Sequence, residues 1–319
     1  QTLATAVNTI WAGQAGRFQQ SGRNAGTRIR AGLLSLTGDI RAAGQTLATS
    51  VQSAWEAMMG TFYAEGNSAA VNLANGIYSG RGTVTGAASN IGLACAQRFA
   101  ATHTVIMADI ADATQQAASL PHAVAVRVNV GEFDSCLNLV AEARKYGRID
   151  TVVHSAGITR PACSILDMPV EEWENVIKVN LTGAFFLAKA CIPPMLEAGQ
   201  GAMVLFSSRA AKTGFAALGS NGAKTKAHYC ASKAGVISLV KSLAMELAPY
   251  GIRVNGVAPG PVQGTMIPKE SWPVIAEKVP LNRLGTPEEM AEGAWFLCSP
   301  QAAFITGHIL DINGGTLMD

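Results

Sequence analysis

From residue 80 onward, short β-branched and apolar runs alternate with longer stretches whose apolar positions recur every three or four residues. The runs cover residues 83–85, 104–107, 123–128, 151–153, 202–206, 252–257 and 308–311. Near-continuous apolar runs suit strands buried on both faces, and helices between them make the connections parallel. The pattern predicts an α/β fold, a doubly wound parallel (Rossmann-like) sheet, over residues 79–319. Sheets of this kind bind ligands beyond the carboxyl ends of their strands, so the residues that follow each run are the candidates for chemistry.

Residues 1–78 read differently. They are rich in Ala, Gly, Thr, Ser and Gln, hold no lysine, and carry Arg17, Arg23, Arg28, Arg30 and Arg41 against Asp39, Glu56 and Glu65. Ile29, Leu33, Leu36, Ile40, Ala43 and Leu47, then Val51, Trp55, Met58 and Phe62, follow helical steps of three and four. Gly26, Gly32, Gly38 and Gly44 interrupt them, each costing about 1 kcal/mol relative to Ala. The expectation is a helical N-terminal extension of low specificity, residues 1–78. Three roles stay open for it: an organelle transit segment, a docking extension, or an appended segment unrelated to the chemistry.

Charge and cysteine usage narrow the function classes. The 24 Lys and Arg nearly balance the 22 Asp and Glu, so nothing points to nucleic acid or an anionic membrane. The most apolar region, 185–195, contains Lys189, Pro193 and Pro194, which predicts no membrane span. The start lacks the charged-then-apolar order of a secretory signal. Cys95, Cys136, Cys163, Cys191, Cys230 and Cys298 form no CxxC pair, and the histidines are equally dispersed. No metal site is expected, and scattered reduced thiols predict a cytoplasmic protein.

Three motifs carry chemistry. Thr85-Gly86-Ala87-Ala88-Ser89-Asn90-Ile91-Gly92 follows the first run and opens a helix. Small residues let the backbone approach a pyrophosphate, and the helix N-terminus offers free N–H groups. Asp109 closes the second run. A carboxylate there accepts hydrogen bonds from ribose hydroxyls and repels a 2′-phosphate, and Ser89 rather than arginine stands in the loop; both favour NAD over NADP. Tyr229-Cys230-Ala231-Ser232-Lys233 places a phenol and an ammonium on one helix face. The ammonium and an oxidised nicotinamide are together expected to lower the phenol pKa from its reference of about 10. Each motif alone also fits a plainer origin: a Gly-bearing turn, a solvated strand-end acid, a chance pair.

Taken in order, these residues resemble the short-chain dehydrogenase/reductase family over roughly residues 76–319. The resemblance extends to Ser155-Ala156-Gly157, Val179-Asn180, Ser207-Ser208, Pro259-Gly260 and the closing Asp311-Ile312-Asn313-Gly314-Gly315. It implies a catalytic tetrad of Asn180, Ser208, Tyr229 and Lys233, with Ser207 the rival for the serine role. Tyr229 would be the acid/base and Ser208 would bind the substrate oxygen. Lys233 would lower the tyrosine pKa and hold the nicotinamide ribose, and Asn180 would anchor a relay water. It implies cofactor contacts from Gly86, Ser89, Asn90, Ile91, Gly92, Asp109, Asn129, Val130, Ser155, Ala156, Gly157, Tyr229, Lys233, Pro259, Gly260 and Val262. It implies a homotetramer, with helices around 171–191 and 229–248 as interfaces.

The implied reaction interconverts a secondary alcohol and a ketone with NAD, on a sugar, a polyol or an anionic hydroxy compound. A carrier-bound 3-oxoacyl reductase is the alternative, and a non-catalytic NAD-binding scaffold is the alternative of another class. The chain departs from the family at Asn90, where Gly is usual, at Asn129, His154 and His103, and in the polar first strand. The interval from Ser208 to Tyr229 is longer than usual, which places an insertion at 214–228. No Asp or Glu occurs from Ala198 to Met245, while Arg209, Lys212, Lys224, Lys226, Lys233 and Lys241 do. A positive cavity mouth and a small anionic substrate are expected. Residues 261–281, with Met266, Ile267, Trp272, Pro273, Val274 and Ile275, are expected to form an apolar lid.

Overall fold

The computed structural model describes residues 80–215 and 224–318, with isolated exposed helical positions between Arg17 and Ser53. The apolar positions from Ile29 to Phe62, and the centre of the insertion at 216–223, lie outside the described residues. Chain contacts separate Gln1–Tyr78 from Ser79–Asp319, and the sheet belongs to the second unit.

Among the described residues, seven strands form one sheet: β1 (Gly80–Thr85), β2 (His103–Asp109), β3 (Ala123–Arg127), β4 (Thr151–His154), β5 (Gly201–Phe206), β6 (Ile252–Pro259) and β7 (Ile309–Ile312). Their order is β3-β2-β1-β4-β5-β6-β7, and every pairing is parallel. Each apolar run of the sequence becomes a strand whose ends differ from the run by at most three residues: β1 and β2 are longer, β3 is one residue shorter and β7 is shifted by one.

The two faces of the sheet bury separate clusters. One joins α3 (Phe133–Arg144), α5 (Gly183–Ala198) and α7 (Ala227–Leu247) through Leu139, Leu187, Met195, Val236, Val240 and Leu247. The other joins α1 (Asn90–Ala100) and α9 (Pro287–Cys298) through Cys95, Phe99, Met290, Ala294 and Leu297. These positions repeat at helical spacing, so each helix turns one apolar stripe to the sheet. The short α2 (Thr114–Ala118), α4 (Val170–Ile177), α6 (Ala210–Thr213) and α8 (Trp272–Ala276) complete the connections.

The apolar region around 185–195 belongs to a continuous helical stretch, Val170–Ala198, long and apolar enough by length and composition to cross a membrane. Ala184, Leu187, Ala188, Cys191 and Met195 are buried against the sheet, so it is a core helix. The helices that the resemblance implies as interfaces carry apolar residues that fit a core equally well; Val236, Val240 and Leu243 belong to this core, whereas Phe185 is 43% exposed.

The polar character of β1 has a local explanation. Thr83 and Thr85 are buried, and the Thr85 hydroxyl pairs with His154 Nδ1 at 2.7 Å across β1 and β4. His154 therefore occupies its unusual place as a partner for the first strand. Burial, helped by the nearby Lys233, pushes its imidazole pKa down to about 3, so it stays neutral.

Candidate active site

Parallel strands that end in register deposit their following residues along one edge. Thr85 pairs with His154, and Phe206 with Val257. Gly86, Asp109, Ser155, Ser208 and Gly260 thus come together at the carboxyl edge, where β1 and β4 leave in opposite senses. They line a cavity of about 660 Å³.

The glycine loop fits a dinucleotide by its lack of side chains. Gly86 has φ +73°, and a Cβ there would lie 2.8 Å from Ala156 N. A Cβ on Gly92 would lie 1.9 Å from the Gly86 carbonyl oxygen. The loop backbone is therefore folded onto itself and onto the β4 loop, leaving its outer face bare. No side chain caps the first turn of α1, so its N–H groups face the cavity end uncapped. Asp109 fixes the loop: its carboxylate accepts from Ala88 N at 2.9 Å and from Ala111 N at 3.0 Å. Each carboxylate oxygen retains acceptor capacity for a ribose hydroxyl. These residues fit a nicotinamide dinucleotide, which supplies or takes the hydride when bound.

Asn90 adopts φ +47°, the left-handed conformation that Asn tolerates better than most residues. Its side chain also reaches the lid. Nδ2 donates to Thr265 Oγ1 at 2.9 Å, and Oδ1 accepts from Thr265 N at 3.4 Å. The residue that departs from the family pattern thus ties the cofactor loop to the lid. Asn129 also lines the cavity, but its amide is engaged locally, accepting from Gly131 N at 3.1 Å and donating to Glu132 at 2.7 Å.

Ser208, Tyr229 and Lys233 converge in the cavity wall. The Ser208 hydroxyl lies close enough to the Tyr229 phenol to lower its pKa as a hydrogen-bond partner would. Ser207 points the other way, donating from its hydroxyl to the Lys233 carbonyl at 2.8 Å, as alternation at a strand end requires. Lys233 Nζ donates to the Phe206 carbonyl at 2.8 Å and lies 5.9 Å from the Tyr229 ring centre.

Burial pushes the lysine pKa down to about 8. Burial also raises the Tyr229 pKa, against the lowering effect of the Ser208 hydroxyl. Without the dinucleotide, burial is the larger influence and favours the protonated phenol; the lowering expected from the sequence also called on the oxidised nicotinamide. A protonated phenol beside a hydroxyl can donate to a carbonyl oxygen in the cavity, and Ser208 can hydrogen-bond the charge that develops there.

Two predicted residues do not line the cavity. Gly92 supports the loop from beneath. Asn180 is fully buried in a π-turn, Lys178–Thr182. Its Oδ1 accepts from Ile158 N at 2.8 Å, and its Nδ2 donates to the Ile158 carbonyl at 2.9 Å and to Ser232 Oγ at 3.1 Å. Ser232 in turn donates to the Tyr229 carbonyl at 2.8 Å. The Asn180 side-chain amide is thus engaged with Ile158 and, through Ser232, linked to the Tyr229 backbone.

Every other predicted cofactor residue lines the cavity: Ser89, Asn90, Ile91, Val130, Ser155, Ala156, Gly157, Pro259, Gly260 and Val262 among them. Met266, Ile267 and Ile275 of the expected lid line it too, whereas Trp272 pins the lid by donating to the Ile267 carbonyl at 3.1 Å. Pro273 and Val274 face away from the cavity lining. Of the basic residues expected at a positive mouth, Arg209, Lys226 and Lys233 line the cavity and Lys212, Lys224 and Lys241 do not; Thr159, which the sequence did not single out, lines it as well. Arg209 and Lys226 had only the basic run around them as a signal.

A doubly wound sheet with a glycine loop at its switch point and a Ser–Tyr–Lys cluster at its carboxyl edge defines a dinucleotide-dependent oxidoreductase. Comparisons with known proteins give the family. Residues 86–316 match the model described as enoyl-(acyl carrier protein) reductase. The chain is 38% identical over 242 residues to a 3-oxoacyl-[acyl-carrier-protein] reductase of Thermotoga maritima, covering 72% of this chain and 95% of that protein. It is 36% identical over 238 residues to a cis-4-hydroxycyclohexanecarboxylate dehydrogenase of Sinomonas cyclohexanicum, covering 72% and 92%. The crystal structure of gox2181 superposes with a TM-score of 0.70 at 33% identity, covering 76% of this chain and 97% of that one. The chain belongs to the short-chain dehydrogenase/reductase family and is an oxidoreductase acting on CH–OH groups.

Proposed function

We propose that the chain interconverts a secondary alcohol and a ketone with NAD(H), on a small anionic substrate. The observation that carries this is one cavity with Asp109 at the glycine loop and the Ser208, Tyr229 and Lys233 cluster at its other wall. Ser208, Tyr229 and Lys233 are the catalytic residues in this reading, and Asn180 positions them. Asp109 supports NAD: a second anion, the 2′-phosphate, would face a carboxylate already held against Ala88. Residues 79–319 form the dehydrogenase domain and residues 1–78 an appended extension. A homotetramer and a cytoplasmic location complete the reading, the latter supported by six free thiols.

Reduction of a carrier-bound 3-oxoacyl group is the second reading, favoured by the name of the Thermotoga maritima relative and by the protonated Tyr229. A silent scaffold is disfavoured, since pure binding needs no phenol–hydroxyl pair. The test is titration of the full chain with NADH and NADPH by energy transfer from tryptophan, followed by turnover of hydroxy acids and polyols. NADH is expected to bind at least roughly ten-fold tighter, a difference of about 1.4 kcal/mol, and Asp109→Ser to erase the difference. Tighter NADPH binding refutes the cofactor reading, and binding without turnover of any alcohol or ketone revives the scaffold.

A further inference from the structure

Besides Lys233, two cations stand in the cavity wall, Arg209 and Lys226, and neither forms an ion pair among the described residues. Arg209 directly follows Ser208 and is only 7% exposed. Its guanidinium donates to the Phe215 carbonyl at 2.9 Å and to the Thr213 hydroxyl at 3.4 Å, which leaves further N–H donors of its fork unused. Lys226 stands just before α7 and three residues before Tyr229. Its ammonium donates to Thr159 Oγ1 at 3.2 Å, again with donors to spare. Both line the same cavity, together with Thr159. Burial lowers the pKa of each.

No counter-ion is at hand. The chain holds no Asp or Glu between Ala198 and Met245, so the insertion supplies none. Among the described residues, the only carboxylate lining the cavity is Asp109, which accepts from Ala88 and Ala111 at the glycine-loop end. The neighbouring Lys212, by contrast, is paired with Asp311 and does not line the cavity. Withdrawing an unpaired cation from water is costly, and the cost is offset where a ligand brings the opposite charge. Arg209 and Lys226 also flank the reacting pair, one beside Ser208 and the other beside Tyr229. An anion held there leaves a neighbouring ketone oxygen to accept from the phenol.

We propose that Arg209 and Lys226, with the Thr159 hydroxyl, form an anion subsite that holds the carboxylate of a small hydroxy or oxo acid. This rests on the oxidoreductase reading of the same cavity and narrows its substrate class. It also replaces the broad positive mouth with two named residues, since Lys212 is neutralised.

The test is calorimetric titration of the full chain saturated with NAD⁺, which forms no product with a ketone. The probes are 4-oxocyclohexanecarboxylate and acetoacetate, each against its neutral methyl ester. Each acid is expected to bind roughly 10- to 100-fold tighter than its ester, the range of a charge-assisted contact. Lys226→Gln should remove most of that preference and Lys226→Arg should keep it. Because Arg209 also braces Phe215, Arg209→Gln is read only alongside the Lys226 pair. Equal binding of acid and ester, no binding of either acid, or a preference that survives Lys226→Gln overturns the subsite. The parent reading fails separately: acids bound with the expected preference but never reduced with NADH would refute the dehydrogenase and leave the subsite standing. Esters reduced with no acid preference would do the reverse.

Discussion

Tyr229 is held between opposed influences. Burial raises its phenol pKa and the Ser208 hydroxyl lowers it, with burial the larger. Removing only the phenolic oxygen isolates the proton transfer from the packing. Tyr229→Phe is expected to lower kcat by roughly 10²- to 10⁴-fold, the usual worth of a positioned acid/base, while NADH affinity stays within a few-fold. Steady-state kinetics with a parallel NADH titration checks it, and an unchanged kcat assigns the proton to another group. Asn90 permits a second experiment of the same size. Glycine accepts φ +47° without strain, so Asn90→Gly removes only the bonds to Thr265. The melting temperature should hardly move, the substrate KM should rise several-fold, and the Thr265 amide should exchange faster with deuterium. Unaltered exchange at Thr265 would show that the lid is held without Asn90. At this scale the motif spelled out the reacting groups but not their partners. Ser208 was separable from Ser207 only as the second of a pair; the structure supplies the reason, alternation at the strand end. Arg209 and Lys226 carry no motif, because their place in the wall depends on a tertiary turn and an insertion.

Among the elements, the glycine loop was the most legible, because its composition is dictated by hard contact. Gly92 shows the limit of that legibility. It matches the motif, yet it does not line the cavity, and its bare Cα lets α1 rest on the Gly86 carbonyl. A methyl group placed 1.9 Å from that oxygen must displace the loop or the helix. Gly92→Ala is therefore expected to cost roughly 1–3 kcal/mol of stability, as overpacking does, and to weaken dinucleotide binding more than ten-fold. Urea unfolding and an NADH titration would show it, and near-native values for both would mean the loop is softer than its contacts imply. The seven strands were legible as apolar runs, with ends shifted by at most three residues. The π-turn at Lys178–Thr182 was not, since a single widened turn has no propensity of its own. It brings the Asn180 amide to Ile158 and Ser232, contacts that no motif in the sequence announces. The polar β1 read as a weakness because its partner, His154, lies in a strand far along the chain.

For the whole molecule, the site sets a cost that pH can reveal. Lys233 is buried, and its pKa is pushed down from 10.5 to about 8. The folded state therefore binds fewer protons at this position than the unfolded chain does between those values. Stability from this group is lowest below about pH 8 and recovers as pH rises toward 10.5. The penalty is at most roughly 3 kcal/mol, at about 1.4 kcal/mol per pKa unit. The thiols act in the opposite sense. Cys191 and Cys298 are each pushed up to about 12, so above pH 9 the unfolded chain loses their protons first and stability falls. Wild-type stability alone mixes these trends, so the difference between wild type and Lys233→Met is the quantity to follow. The variant keeps the volume and the thiols and removes the buried charge. It is expected to be the more stable chain at pH 7, despite losing the bond to the Phe206 carbonyl, with its advantage shrinking steadily to pH 10. Turnover should be lost throughout. Urea unfolding at half-unit pH steps measures the difference. A gap that does not change with pH would mean that Lys233 keeps its charge in the folded protein. The ammonium would then stay available to act on Tyr229 across the working range, and the protonated phenol inferred above would give way to a lowered one.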